Sequence, residues 1–133
     1  MKGVIFTIGH STKPLSEFLQ KLKENEIELL LDVRSIPRSR FNPQYNEKAL
    51  RESVAKEGIE YRWRGNNLGG RGENIDYEDT IDEIAIVAEH GGKNLAVMCS
   101  EGNYKDCHRH TMIEPSFAER GFEVRHIAYE KKP

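Results

Sequence analysis

The fold of this chain is set by residues 95–110, LAVMCSEGNYKDCHRH. The apolar run at 95–99 is bounded by polar residues and predicts a buried β-strand. A polar loop containing Gly102 follows, and the residues from Cys107 onward are compatible with a helix. This order brings a thiol, a carboxylate, an imidazole and a guanidinium group to one strand end. We therefore expect a functional site where this strand ends.

The same pattern recurs along the chain. Apolar segments predict further strands at residues 3–9, 27–33, 59–64 and 123–129. Four predicted helices lie between the strands. The first starts at Pro14, the second follows Asn46, which can cap it, and the third starts near residue 76. The fourth runs from 107 to 120 with an interruption at Pro115. Residues 65–72, which include four glycines, are predicted as a loop. We predict an α/β fold: a single three-layer domain over residues 1–133, with a mostly parallel five-stranded sheet and helices on both faces.

Composition limits the classes of protein. With 37% hydrophobic and 32% charged residues, the chain has a globular composition. No apolar segment is long enough for a secretory or membrane-spanning helix, so we expect a cytoplasmic protein with no membrane partner. In a reducing compartment Cys99 and Cys107 are expected to be free, metal-bound or reactive rather than joined in a structural disulfide.

Charge is unevenly distributed along the chain. The net charge is −2, yet residues 34–71 hold nine Lys or Arg and four Glu, a local balance of +5. This cluster favours an anionic ligand near the middle of the chain, although a solvated, salt-bridged surface explains it equally simply. Arg34, Arg38, Arg40 and Arg71 are interleaved with Phe41 and Tyr45, a combination suited to phosphate contacts and stacking on a base. A small anionic molecule such as a nucleotide, or a nucleic-acid end, is therefore the expected partner.

Chemistry-bearing residues follow the ends of the predicted strands. In a parallel sheet, ligands bind beyond the carboxyl ends of the strands, near the point where strand order reverses. His10 follows the first strand, Arg34 the second, the glycine-rich segment the third, and Cys99 ends the fourth. We therefore expect these groups to share one edge of the sheet.

Candidate roles follow from side-chain chemistry. Cys99 is predicted as a thiolate nucleophile, Glu101 as a general acid or base, and His10 and His108 as further catalytic candidates. Cys99 can equally be a buried apolar residue that ends its strand, and Glu101 an exposed loop carboxylate. The predicted ligand-binding residues are Ser11, Arg34, Arg38, Gly69, Gly70, Arg71, Cys107 and Arg109.

Neither a metal nor a cofactor is indicated by the sequence. Cys99, Cys107 and His108 do not have the spacing of common zinc sites, so no metal is predicted. His90 and His126 are interpreted as structural. The cofactor, if there is one, and the oligomeric state are not determined by the sequence.

Ordered motifs carry a family resemblance. They are Thr7–Ser11 (TIGHS), Leu31–Arg34 (LDVR) with Pro37–Ser39 (PRS), Leu68–Gly70 (LGG), and Cys99–Glu101 (CSE) followed by Cys107–Arg109 (CHR). Together they resemble domain-of-unknown-function family 488 over most of the chain. The resemblance implies no reaction, but it implies site positions within these motifs: His10, Ser11, Arg34, Arg38, Cys99, Glu101, Cys107, His108 and Arg109. His110 and Pro115 depart from the pattern of this family.

A weaker similarity is to rhodanese-like sulfurtransferases. The Leu31–Arg34 segment resembles their Asp-Val-Arg strand, and Cys99–Gly102 resembles the start of their Cys-x-x-Gly-x-Arg loop. Tyr104 stands where that loop has its arginine, and Lys105 stands at the arginine position of Cys-x5-Arg phosphatase loops. Three hypotheses therefore remain: binding and processing of a phosphate-bearing ligand, cysteine-dependent sulfur or phosphoryl transfer, and a non-catalytic interaction module.

Overall fold

A five-stranded sheet forms the centre of the computed structural model, which describes residues 2–70, 73–103, 105 and 107–129. Its strands are β1 (Gly3–Gly9), β2 (Leu29–Asp32), β3 (Glu60–Trp63), β4 (Leu95–Cys99) and β5 (Phe122–His126). They are ordered β3-β2-β4-β1-β5, and each neighbouring pair is parallel. The predicted α/β class with a parallel sheet is confirmed.

Helices cover both faces of this sheet. Helices α1 (Leu15–Glu24) and α2 (Glu47–Ala55) contribute to one apolar cluster, and α3 (Gly65–Leu68), α4 (Tyr77–His90) and α5 (Glu114–Glu119) contribute to the other. A 3₁₀ turn at Pro43–Tyr45 precedes α2, and a π-helical segment at Arg109–Ile113 runs into α5. The molecule therefore has the three layers predicted from the sequence.

The central strands are apolar throughout because both of their faces are covered. In β4, the side chains of Leu95, Val97 and Cys99 enter the cluster under α3, α4 and α5. Ala96 and Met98 enter the opposite cluster, under α1 and α2. This alternation follows from the two-residue period of a strand, and it directs the Cys99 side chain towards the α5 face.

The predicted helix 107–120 is present as a π-helical segment that changes to α5 at Glu114, next to Pro115, where an interruption was predicted because proline has no N–H to donate. Another predicted segment differs in the structure. Residues 65–68 form a short helix instead of a loop, and its Leu68 is fully buried. Gly65 is needed there, since a Cβ at this position would lie 1.9 Å from the Arg34 carbonyl oxygen.

The strand order determines where in the sheet a ligand site is expected. From β1 the chain crosses to β2 through α1 on one face, whereas from β4 it crosses to β5 through α5 on the other face. The connections that leave the neighbouring strands β1 and β4 therefore run to opposite faces of the sheet, and ligands bind beside such a pair of strands in parallel sheets. Among the helices that the structure describes, none is long and apolar enough to cross a bilayer.

Candidate functional site

A pocket of about 480 Å³ opens at the carboxyl ends of β1, β2 and β4, a size typical of small-molecule sites. It brings together eight of the residues predicted from the sequence: His10, Arg34, Arg38, Gly70, Cys99, Glu101, Cys107 and His108. Ser35, Ile36, Ser39 and Ser100 complete its lining. The strand-end rule thus predicts the location of the pocket.

Backbone hydrogen bonds join the segments after β1 and β4. The N–H of His10 donates to the carbonyl of Cys99 at 3.1 Å, and that of Ser11 donates to the carbonyl of Ser100 at 2.8 Å. Gly9 lies against the same loop, and a Cβ there would be 1.6 Å from the carbonyl oxygen of Glu101. The two segments therefore act as one rigid wall of the pocket.

The two thiols lie side by side at the base of the pocket. Both cysteines are free, and their Sγ atoms are 2.6 Å apart. The Cys99 hydrogen bond, with help from His108 and the Arg109 backbone N–H, outweighs burial and lowers the pKa of the Cys107 thiol. The same pairing, together with burial, raises the pKa of Cys99.

This contact bears on the choice of nucleophile. The pairing raises the pKa of Cys99, the nucleophile predicted from the sequence, whereas the pKa of Cys107 is lowered. Cys107 precedes the π-helical segment, where backbone N–H groups favour an anion. These groups favour Cys107 over Cys99 as the thiolate, and the assignment of Cys99 as the nucleophile stays a prediction.

His108 lies beside this thiolate. Its Nδ1 is 3.6 Å from Cys107 Sγ, and its ring packs against Gly70, where a Cβ would lie 3.0 Å from Nδ1. Its Nε2 is buried without a hydrogen-bond partner among the described residues. Because buried polar atoms in native proteins are nearly always paired, this nitrogen is available to a ligand in the pocket.

Arg34 is held by a buried ion pair. Its guanidinium donates to both carboxylate oxygens of Asp32, at 2.7 Å from Nη2 to Oδ2 and 2.9 Å from Nε to Oδ1, and to the carbonyl of Tyr45 at 2.7 Å. Tyr61 donates its hydroxyl to the same carboxylate. The charge of Arg34 is therefore compensated, which leaves Nη1 facing His10 Nε2 at 3.5 Å.

His10 is a buried, neutral base in the pocket wall. Its ring stacks on Tyr45 with centroids 4.3 Å apart, and its Nδ1–H donates to the carbonyl of Ser11 at 2.7 Å. Burial, together with the nearby Arg34 cation, lowers the pKa of His10 to about 4. Tyr45, predicted as a stacking surface for a base, is fully buried against this ring and is not accessible to one.

We expect the stability of the protein to fall in acid because of His10. Its pKa is about 4 in the folded protein, below the ordinary histidine value of 6.5, so the unfolded chain binds more protons between these values. The His10 contribution is complete above pH 6.5 and is lost as the pH falls towards 4. Urea denaturation should show about 2 kcal/mol less stability at about pH 5 than at neutral pH from this residue.

The variant His10→Gln isolates this effect. It removes the titrating group, so its stability should change less between the two pH values than that of the wild-type chain. Equal changes in both proteins would contradict the buried, neutral state of His10.

The segment after β2 forms the opposite wall of the pocket. Arg38 is exposed on it, and Ser39 N–H donates to Asn46 Oδ1 at 2.7 Å. Asn46 does precede α2 as predicted, but this bond uses its side chain, which therefore does not cap the helix. Arg38 and the exposed Glu101 thus present opposite charges in one pocket.

Other predicted residues lie outside the pocket lining. Arg109, predicted to hold an anion, is instead fully buried and donates to Thr7 Oγ1 and to the carbonyls of Glu101 and Gly102. It therefore anchors the loop after β4. Ser11, at φ 51°, and Gly69, packed against Ser35, shape neighbouring backbone. Arg71 lies outside the described residues.

Sequence reasoning missed several residues of the site. Ser35, Ile36, Ser39 and Ser100 are next to predicted residues, and their positions just after strand ends were the available signal. Asp32 belongs to a sequence motif but received no predicted role, although a carboxylate at the end of an apolar strand needs a cationic partner. Arg34 is the cationic partner of this carboxylate in the structure.

Comparison with known proteins identifies the family. The sequence model of the family described as domain of unknown function DUF488 matches residues 14–80, about half of the chain. The match includes the motifs at 31–39 and 68–70 but not those at 7–11 and 99–109, and similarity to rhodanese-like proteins is not shown. No curated protein and no solved structure gives a match. The chain belongs to the DUF488 family.

Proposed function

We propose that this pocket binds a phosphate-bearing ligand, such as a nucleotide or a nucleic-acid end, and that Cys107 acts on it as a thiolate nucleophile. The feature that supports this most strongly is the contact between the two free thiols, together with the groups around Cys107 that lower its pKa. Free thiols in such a pair need a reducing compartment, so the cytoplasm is the proposed location.

Arg38 is the proposed anion ligand. It is exposed in the pocket wall and has no ion-pair partner among the described residues, whereas Arg34 is neutralised by Asp32. The hydroxyl groups of Ser35 and Ser39 line the same side. A guanidinium with hydroxyl groups nearby matches the hydrogen-bonding needs of a phosphate.

We expect Arg38→Gln to weaken binding of a phosphate-bearing ligand by about tenfold or more, since a hydrogen bond to a charged group contributes about 1.5–3 kcal/mol. Calorimetric titration with a nucleoside monophosphate measures this. Arg40→Gln is the matched control, because Arg40 is also exposed on this segment but does not line the pocket. Equal loss in both variants would indicate a general charge effect and exclude Arg38 as the ligand.

For phosphoryl transfer, Cys107 Sγ would attack phosphorus. An S–P bond forms, the P–O bond to the leaving group breaks, and that group leaves with the electron pair and takes up a proton. Glu101 and water are candidate proton donors, and His10 Nε2 can accept a proton from the water that later cleaves the S–P bond.

Sulfur transfer is a second candidate, favoured by the presence of Cys99. In this reaction the Cys107 thiolate attacks the outer sulfur of thiosulfate, the S–S bond of the donor breaks, and sulfite leaves with the bonding electrons. A persulfide then remains on Cys107. Cys99, in contact with this sulfur, is placed to react with the persulfide, a role that phosphoryl transfer does not require.

Product assays distinguish these reactions. We would incubate the wild-type chain, Cys107→Ser and Cys99→Ser separately with p-nitrophenyl phosphate and with thiosulfate, and measure nitrophenol and sulfite. The proposal expects one product from the wild-type chain and none from Cys107→Ser, with the substrate identifying the reaction. Absence of both products, with no effect of Arg38→Gln on ligand binding, would overturn the proposal and favour a non-catalytic interaction module.

A further inference from the structure

A second cluster of ligating side chains lies outside the pocket. His110 and Glu114 are one helical turn apart on the segment leading into α5, and His126 ends the edge strand β5. Glu114 Oε1 is 2.8 Å from His110 Nδ1 and 2.9 Å from His126 Nε2. One ligand atom from each residue lies within 4.8 Å of the other two. The sequence pattern alone indicates no role for this combination.

We propose that His110, Glu114 and His126 form a binding site for a divalent transition-metal ion, with Zn²⁺ as the best match. Two imidazoles and one carboxylate are a donor set that zinc accepts in four-coordinate sites with one open position. Mg²⁺ and Ca²⁺ prefer sites made only of oxygen atoms. The site is independent of the proposed function of the pocket.

The ligand atoms are close to the separation that a zinc ion requires. Bonds of about 2.0–2.1 Å in a tetrahedral site place neighbouring ligand atoms roughly 3.3 Å apart. The present distances of 2.8 and 2.9 Å from Glu114 Oε1 to the two histidine nitrogens must therefore increase by only a few tenths of an ångström. The His110 side chain is 44% exposed, so it can move outward and a metal ion can enter from solvent.

The hydrogen bonds behind His126 support this role. Its Nδ1 lies 2.5 Å from Thr7 Oγ1, and Arg109 Nη1 donates to the same oxygen at 2.8 Å. A hydroxyl oxygen can accept two hydrogen bonds, so Thr7 can receive Nδ1–H from His126 as well as the bond from Arg109. In that tautomer His126 presents the lone pair of Nε2 to the cluster, as metal-bound histidines do.

Zinc titration of the full chain tests the site. Because Cys99 and Cys107 can also bind zinc, the reference protein is the double variant C99S/C107S, studied by isothermal calorimetry with Zn²⁺ and, separately, Mg²⁺. His110→Ala and Glu114→Gln are introduced on that background. His90→Ala is the matched control, since His90 is an exposed histidine at the end of α4, next to Glu89.

We expect saturable binding of one Zn²⁺ per C99S/C107S chain and no binding of Mg²⁺. Loss of a residue that only hydrogen-bonds to a metal ligand typically weakens metal affinity by roughly tenfold or more. Loss of a ligand itself, as in His110→Ala or Glu114→Gln, should weaken zinc affinity at least as much. The control His90→Ala should leave it unchanged. Thermal unfolding provides a second readout, because a bound ion raises the midpoint only in proteins that bind it. No saturable zinc binding in C99S/C107S, or affinity unaffected by both His110→Ala and Glu114→Gln, would overturn the proposal.

Discussion

Replacing Asp32 with Ala is expected to lower the free energy of unfolding by about 3–5 kcal/mol, because it leaves the Arg34 guanidinium buried without a counter-charge. Asp32 is fully buried and accepts hydrogen bonds from the Arg34 side chain, the Arg34 backbone N–H and the Tyr61 hydroxyl. No other carboxylate lies within ion-pair distance of Arg34 among the described residues. Urea denaturation at neutral pH measures the loss.

Asp82→Ala is the matched control for this prediction. Asp82 also pairs with an arginine, at 2.7 Å from Arg120 Nε, but its side chain is mostly exposed. Exposed pairs contribute about 1 kcal/mol or less. If Asp32→Ala cost no more than Asp82→Ala, the buried pair would not support the pocket as described.

Replacing Gly9 with Ala is expected to cost about 3 kcal/mol, the upper part of the range for overpacked cores. The added Cβ would lie 1.6 Å from the Glu101 carbonyl oxygen and 2.5 Å from its carbon. These are backbone atoms that Arg109 also binds, so the loop after β4 cannot move without breaking that bond. The same shift would displace Cys99 and Glu101, so ligand binding in the pocket should be lost too.

Gly58→Ala separates this steric effect from an effect of glycine itself. Gly58 has φ 76°, and a Cβ there meets no atom within 4 Å. The Gly58→Ala variant should lose only about 1 kcal/mol of unfolding free energy, from the strain of a left-handed non-glycine residue, and should leave ligand binding intact. A Gly9→Ala protein with wild-type stability and binding would contradict the close approach between β1 and the loop after β4.

Much of the fold was predictable because local patterns determine it. Gly3–Gly9 and Leu95–Cys99 have the bounds predicted for the first and fourth strands, since each is an apolar run between polar residues. The edge strand Phe122–His126 begins one residue earlier and ends three residues earlier than the strand predicted at 123–129. Strand ends are less well determined by pattern, because pairing with β1 sets them.

The location of the pocket was also predictable, but the roles of its residues depend on contacts between distant segments. Arg109 anchors a loop because Thr7, more than a hundred residues away, accepts its hydrogen bond. The choice between Cys99 and Cys107 as the thiolate depends on the contact between their sulfur atoms, which spacing alone does not show. Likewise, the spacing of His110 and Glu114 indicates a shared helix face, but His126 joins them only through the packing of α5 on β5.

The titration state of the thiols tests the central claim most directly, and thiolate ultraviolet absorbance measured against pH reports it without requiring access to a reagent. We predict one thiolate per wild-type chain at neutral pH, absent in Cys107→Ser and shifted to higher pH in Cys99→Ala, which removes the hydrogen-bond partner. A first midpoint at the free-thiol value of about 8.5 or above would contradict this account. So would a neutral-pH thiolate that persists in Cys107→Ser.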